Sequence, residues 1–134
     1  MAIDPDDLNE ALQAAADARS NAYAPYSNFR VGAALRTAAG KLYTGCNVEN
    51  ASYGGTICAE RGAVMAANAS GEREYRYIVV VTDAEPPALP CALCLQVLAE
   101  FCSPEFTVFS GTPETIVQEI TLGELLPHPF TEVP

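Results

Sequence analysis

Two short clusters carry residue types that could do metal chemistry: Cys58-Ala59-Glu60 and Pro90-Cys91-Ala92-Leu93-Cys94. Each follows a loop-like stretch and opens a segment with helical spacing. A helix N-terminus offers free N–H groups and a positive dipole end, both of which favour thiolate over thiol. Cys91 and Cys94, three apart on a first helical turn, can face one ion together. Cys58, opening a neighbouring helix, can supply a third sulfur. Three protein ligands with a fourth position left open describe a catalytic zinc, not a closed structural one. Glu60 lies close enough to its cysteine to reach that fourth position without coordinating. A carboxylate there can take a proton from water and deliver it to a substrate.

Other readings of the same residues exist. A Cys-x-x-Cys pair alone could be a redox dithiol, with Cys58 a buried thiol. A structural zinc site would need Cys46, Cys102 or His128 as its fourth ligand. Cys46 falls in a strand and Cys102 at a helix end, where buried free cysteine is common, and His128 stands between two prolines. The Cys-x-Glu element beside Pro-Cys-x-x-Cys is more economically read as the three-cysteine form of the zinc nucleobase-deaminase pattern, with the glutamate as proton shuttle.

The elements that must position these residues follow from periodicity and capping. Residues 4 to about 22 read as a helix. Asp4 can cap it, Pro5 suits its first position, and Asp6 and Asp7 favour its positive end, while Leu8, Ala11, Leu12, Ala15 and Ala16 share one face. Residues 30 to 37 and 42 to 48 read as strands joined by a turn at Ala38-Ala39-Gly40-Lys41. The stretch from 50 to 56, with Ser52, Gly54 and Gly55, is expected to be irregular. Residues 58 to 69 form an alanine-rich helix stopped near Gly71. The apolar run from 75 to 82 (YRYIVVVT) suits a strand buried on both faces. Pro86, Pro87 and Pro90 keep the next stretch extended or turning. A third helix spans 91 to 101, a further strand 106 to 110, and a last helical turn 122 to 126. The alternation predicts an α/β layer around one mixed sheet.

The chain has 134 residues, a length that suits one compact domain over 1–134, and its 49% hydrophobic content can fill a core without disulfides. Seven Lys and Arg face seventeen Asp and Glu, a net charge of −10. Such a surface repels phosphate backbones, which argues against nucleic acid polymers and anionic membranes as partners. No stretch approaches the roughly 20 apolar residues of a membrane helix. The five cysteines form an odd set for a disulfide framework. The acidic first residues do not resemble a secretory signal, so a reducing cytoplasm is the expected setting.

Beyond the zinc clusters the chain contains PYSNFRVGAAL (25–35), GCNVENASY (45–53), TICAERGA (56–63), QVLAEF (96–101) and the closing LLPHPF. With these motifs, in this order, it resembles the small homotetrameric zinc-dependent cytidine deaminases nearly end to end. The resemblance implies a three-layer α/β/α sandwich with a central mixed β-sheet and one Zn²⁺ per subunit. It also implies a homotetramer with its sites at subunit interfaces. The implied activity is hydrolytic deamination of cytidine and 2′-deoxycytidine to uridine and 2′-deoxyuridine, releasing ammonia, in pyrimidine salvage. Carried over by position, Cys58, Cys91 and Cys94 hold zinc and Glu60 shuttles protons. Phe29 stacks on the base, and Asn47 and Glu49 hold the ribose 3′-hydroxyl. Tyr53 and Phe130 line the site, some such residues arriving across a subunit boundary. Backbone at Ala59 and near Cys91 reads the pyrimidine amide edge. Arg61 donates to ligand sulfurs and withdraws charge from a tri-thiolate centre.

Taken without the resemblance, Phe29 could equally be core, Asn47 and Glu49 surface or turn residues, and Arg61 a solvated helix arginine. The chain also departs from the family pattern. Ala92 and Leu95 stand where many relatives carry Gly and Arg, and Gly54, Gly55 and Gly62 where relatives are often bulkier. Altered pocket shape, zinc electrostatics or subunit packing is expected there. Two alternatives are a deaminase of modified cytosine nucleosides, of blasticidin type, and a non-catalytic zinc-binding member of the fold. Polynucleotide editing is opposed by charge and length.

Overall fold

The computed structural model describes residues 3–133. Its first helix, α1 (Pro5–Arg19), starts as the sequence predicts: the Asp4 carboxylate accepts the Asp6 N–H at 2.9 Å and Pro5 occupies the first helical position. Ala11, Leu12 and Ala15 form its buried face. The helix ends before the predicted residue 22, where Asn21 and Ala22 close tighter turns onto the Ala18 and Arg19 carbonyls.

Strands β1 (Gly32–Thr37) and β2 (Leu42–Cys46) form a hairpin whose turn places Gly40 at φ +89°, a conformation glycine adopts without a Cβ clash. Then follow α2 (Ala59–Ala69), β3 (Tyr75–Val81), α3 (Ala92–Phe101), β4 (Thr107–Gly111), β5 (Ile116–Thr121) and α4 (Leu122–Leu125). One mixed sheet runs in the order β2-β1-β3-β4-β5, parallel only between β3 and β4.

The central strands alternate between two cores. Ala34, Tyr77, Val79 and Phe109 pack with the α1 face. Ala33, Leu35, Ile78, Val80 and Val108 pack with Ala59, Ala63 and Val64 of α2 and Leu95 and Leu98 of α3. This is the predicted α/β/α layering, with β3 buried on both faces as its continuous apolar run requires. No helix among the described residues is long and apolar enough to cross a membrane.

Two differences from the sequence reading matter. β5 has no counterpart in it, because IVQEIT lies on a sheet edge and its half-polar alternation reads as surface. The predicted strand to residue 48 stops at Cys46; Val48 instead forms isolated bridges to Tyr23 and Ile57.

Candidate metal centre and active site

Gly32, Cys46 and Val81 stand level at one end of the sheet, where β1 pairs with both neighbours. The residues just beyond that end, Val31, Asn47 and Thr82, line a cavity of about 280 Å³. The N-termini of α2 and α3 open onto the same end. Cys58 is the N-cap of α2 and Cys91 the N-cap of α3, and neither thiol caps a backbone N–H. Both sulfurs therefore stay available as ligands. Cys94 follows on the first turn of α3 and is buried.

The three sulfurs lie within 4.8 Å of one another, and no fourth His, Cys, Asp or Glu joins them among the described residues. Cys46, Cys102 and His128 are thus outside the group. The Cys91 thiol donates a hydrogen bond to the Cys94 sulfur at 3.6 Å and the two form no disulfide, the separation being well beyond the roughly 2.05 Å of one. Soft thiolates converging in this way fit zinc, with a position left for water or substrate.

The thiols of the cluster shift one another in opposite directions. The Cys58 thiol is lowered to about 5 by the hydrogen bond from Cys94, with Arg61 adding to the effect. The same bond, burial and the Glu60 charge push Cys94 up. Arg61 is no solvated helix arginine: its Nη2 lies 3.4 Å from Cys58 Sγ and donates to the Thr56 carbonyl at 3.4 Å. Its Nε is buried and has no hydrogen-bond partner among the described residues. Glu60, only 5% exposed, is raised to about 7, chiefly by burial and further by the Cys58 thiolate. A carboxyl poised there can hold or release a proton near neutral pH.

Phe29, Asn47, Glu49, Ala59 and Glu60 all line the cavity with Cys58 and Cys91. Phe29 is 39% exposed, so it belongs to the cavity and not to the core. Asn28 precedes it at φ +57°, a left-handed turn that asparagine tolerates. The Asn47 amide clamps this stretch: its Oδ1 accepts the Val31 N–H and its Nδ2 donates to the Phe29 carbonyl, both at 2.8 Å. Glu49 accepts the N–H groups of Tyr26 and Ser27 and the Ser27 hydroxyl, which holds its carboxyl below the usual range.

Within the chain Tyr53 and Phe130 lie outside this cavity. Tyr53 is 83% exposed and borders a second, open cavity with Tyr26, Glu49 and Asn50. Phe130, 64% exposed, is held by its backbone to the Gln96 side chain. Ala92 is exposed at the start of α3 and lines neither cavity, and Leu95 is buried among Ala59, Ala63 and Leu98. Ser27, Val31, Thr56, Val80, Thr82, Ala88 and Leu89 also line the cavity and were given no site role in the sequence reading. Ser27, Val31 and Thr56 carried a signal, because they lie inside the quoted motifs PYSNFRVGAAL and TICAERGA.

Residues 5–110 match the family model for the cytidine and deoxycytidylate deaminase zinc-binding region. The chain is 48% identical to a cytidine deaminase of Halalkalibacterium halodurans over 92% of its own length and 91% of that protein. It is similar in structure to the cytidine deaminase of Burkholderia pseudomallei, with 47% identity, a TM-score of 0.86, and coverage of 91% and 98% of the two chains. The Mycobacterium tuberculosis cytidine deaminase is likewise similar, at 38% identity, a TM-score of 0.82, and coverage of 94% and 98%.

Proposed function

The chain belongs to the cytidine and deoxycytidylate deaminase zinc-binding family, and from that premise we propose that it deaminates cytidine and 2′-deoxycytidine to the uridine nucleosides, releasing ammonia. The observation that carries this reading is one cavity lined by Cys58 and Cys91 of the three converging thiols and by a buried glutamate of raised pKa. Zinc held by Cys58, Cys91 and Cys94 would supply Lewis acidity toward water.

Glu60 takes the proton of the attacking water on its carboxylate and returns it to N3 of the base. It then carries the second proton to the amine that leaves C4. Arg61 offsets thiolate charge at Cys58. Phe29 stacks on the base, the backbone at Ala59 and near Cys91 reads its amide edge, and Asn47 and Glu49 receive the ribose 3′-hydroxyl. Among the described residues, the cavity lining contains no Lys, Arg or His and does contain the Glu49 carboxylate. A nucleoside is therefore preferred over its charged 5′-phosphate.

The reading extends to the assembly. Tyr53 and Phe130, exposed and outside the cavity of their own chain, act in a homotetramer whose sites close at subunit interfaces. One sheet shared by both cores supports a single domain over 1–134. Free thiol ligands suit a reducing cytoplasm, and turnover of cytidine suits a place in pyrimidine salvage.

Ultraviolet-monitored loss of cytidine, run with zinc stoichiometry on the same sample, tests the chemistry. Turnover of cytidine and 2′-deoxycytidine with one zinc per chain is the expected result. A zinc-loaded sample inert to both nucleosides would overturn the proposal. Light scattering on that sample reads the oligomer.

A further inference from the structure

The two helix-capping cysteines reach the site by different routes. Ile57, just before Cys58, is fixed by a pair of 3.0 Å backbone hydrogen bonds with Val48. Cys91 instead ends the irregular segment 83–90, in which Pro86, Pro87 and Pro90 have no N–H to donate. Among the described residues, the backbone hydrogen bonds shown by that segment end on two side-chain hydroxyls. Thr82 Oγ1, just past β3, accepts the N–H groups of Ala84 and Ala88, each at 3.2 Å. Ser110 Oγ, on β4, donates to the Ala88 carbonyl at 2.7 Å.

Ala88 is thus held at its N–H by the residue just past β3 and at its C=O by a residue of β4, the parallel neighbour of β3. Thr82 and Ser110 are wholly buried, so water cannot take over their bonds. Ala88, Leu89 and Cys91 all line the site cavity. One segment therefore serves as a cavity wall and as the arm that presents a metal ligand. Its conformation is set by side chains that take no part in the proton transfers.

We propose that Thr82 and Ser110 are positioning residues, fixing Ala88 so that the Leu89 wall and the Cys91 sulfur stay in register with Phe29, Cys58 and Cys94. The part that concerns nucleoside binding rests on the cytidine reading above; the part that concerns Cys91 stands apart from it.

The test compares zinc-loaded Thr82→Val, Ser110→Ala, their double variant and Thr82→Ser with the parent protein. Losing one neutral hydrogen bond corresponds to roughly a two- to tenfold change in an equilibrium. Thr82→Val and Ser110→Ala are each expected to raise KM for cytidine by about that factor, with kcat within about twofold. Zinc affinity, read by competition with a chromogenic chelator, should fall comparably, and the sulfur-to-metal absorption of the Co²⁺-loaded protein should change. Thr82→Ser keeps the acceptor and should restore parent values. The double variant should cost less than the two singles combined, because both act on Ala88.

A lowered Tm with KM, zinc affinity and the cobalt spectrum all at parent values would overturn the proposal. So would Thr82→Ser behaving as Thr82→Val does. If Thr82→Val does not fold, Ser110→Ala decides by the same readouts. A parent protein inert toward cytidine would overturn the substrate reading, while zinc affinity and the cobalt spectrum would still judge the brace.

Discussion

Glu60 and its cysteines show how little sequence distance the chemistry needs. Glu60 sits on the first turn of α2, buried beside the sulfur of the preceding N-cap. Replacing its carboxyl by Glu60→Gln is expected to leave zinc stoichiometry unchanged and to cut kcat by about 10²–10⁴-fold, the usual contribution of a general acid–base. Steady-state kinetics beside metal analysis checks this, and near-normal turnover would remove Glu60 from its role. Cys102 is a contrasting thiol: burial pushes it up to about 12. It stays protonated at pH 8, so it should react with iodoacetamide far more slowly than a free thiol of ordinary pKa, and faster as pH rises toward 12. Mass spectrometry of timed labelling reads the order; rapid labelling of Cys102 at pH 8 would contradict it. The types and spacing of Cys58, Glu60, Cys91 and Cys94 were legible because each sits within three residues of a partner on a helix start. Thr82 and Ser110 were not, because a lone hydroxyl in a strand carries no signal until its partner is known.

At the scale of elements, α2 must lie close to β2 to present Cys58 and Glu60 at the end of the sheet. Gly45 makes that approach possible. A Cβ there would meet the Ala59 carbonyl oxygen at 2.3 Å and the Ala63 nitrogen at 2.5 Å, both backbone atoms of α2. Gly45→Ala should therefore push the helix away, at a cost of about 1–3 kcal/mol. The expected Tm drop is roughly 5–15 °C, with weaker zinc retention, both measurable by thermal denaturation with and without chelator. An unchanged Tm would show that the contact yields freely. Helices α1, α2 and α3 were legible from caps and apolar faces, and β3 from its apolar run. β5 was missed because an edge strand needs only one apolar face, and its pairing partner β4 is what reveals it.

For the whole molecule, the metal is expected to add to stability, because it binds the folded arrangement of three sulfurs and the unfolded chain holds no such arrangement. At free zinc near 100 times Kd the gain is about 2.7 kcal/mol. Removing zinc with a strong chelator should lower Tm, and adding it back should restore the parent value. A Tm indifferent to chelator would count against a bound ion at these cysteines. The acidity of the chain, −10 overall, reappears locally in a cavity whose lining, among the described residues, has two glutamates and no cation.

The sequence by itself determined the cysteine cluster, the α/β class and the family, because these depend on local spacing and on runs of matching motif. Only the tertiary structure decided how those pieces meet. It brought sulfurs separated by more than 30 residues within 4.8 Å and turned Asn47 into a clamp on the stretch from Phe29 to Val31. It left Tyr53 and Phe130 outside their own chain's cavity, and it put Thr82 and Ser110 on either side of Ala88. Those outcomes depend on sheet order and helix packing, which arise from contacts distant in sequence and are not written in any local pattern.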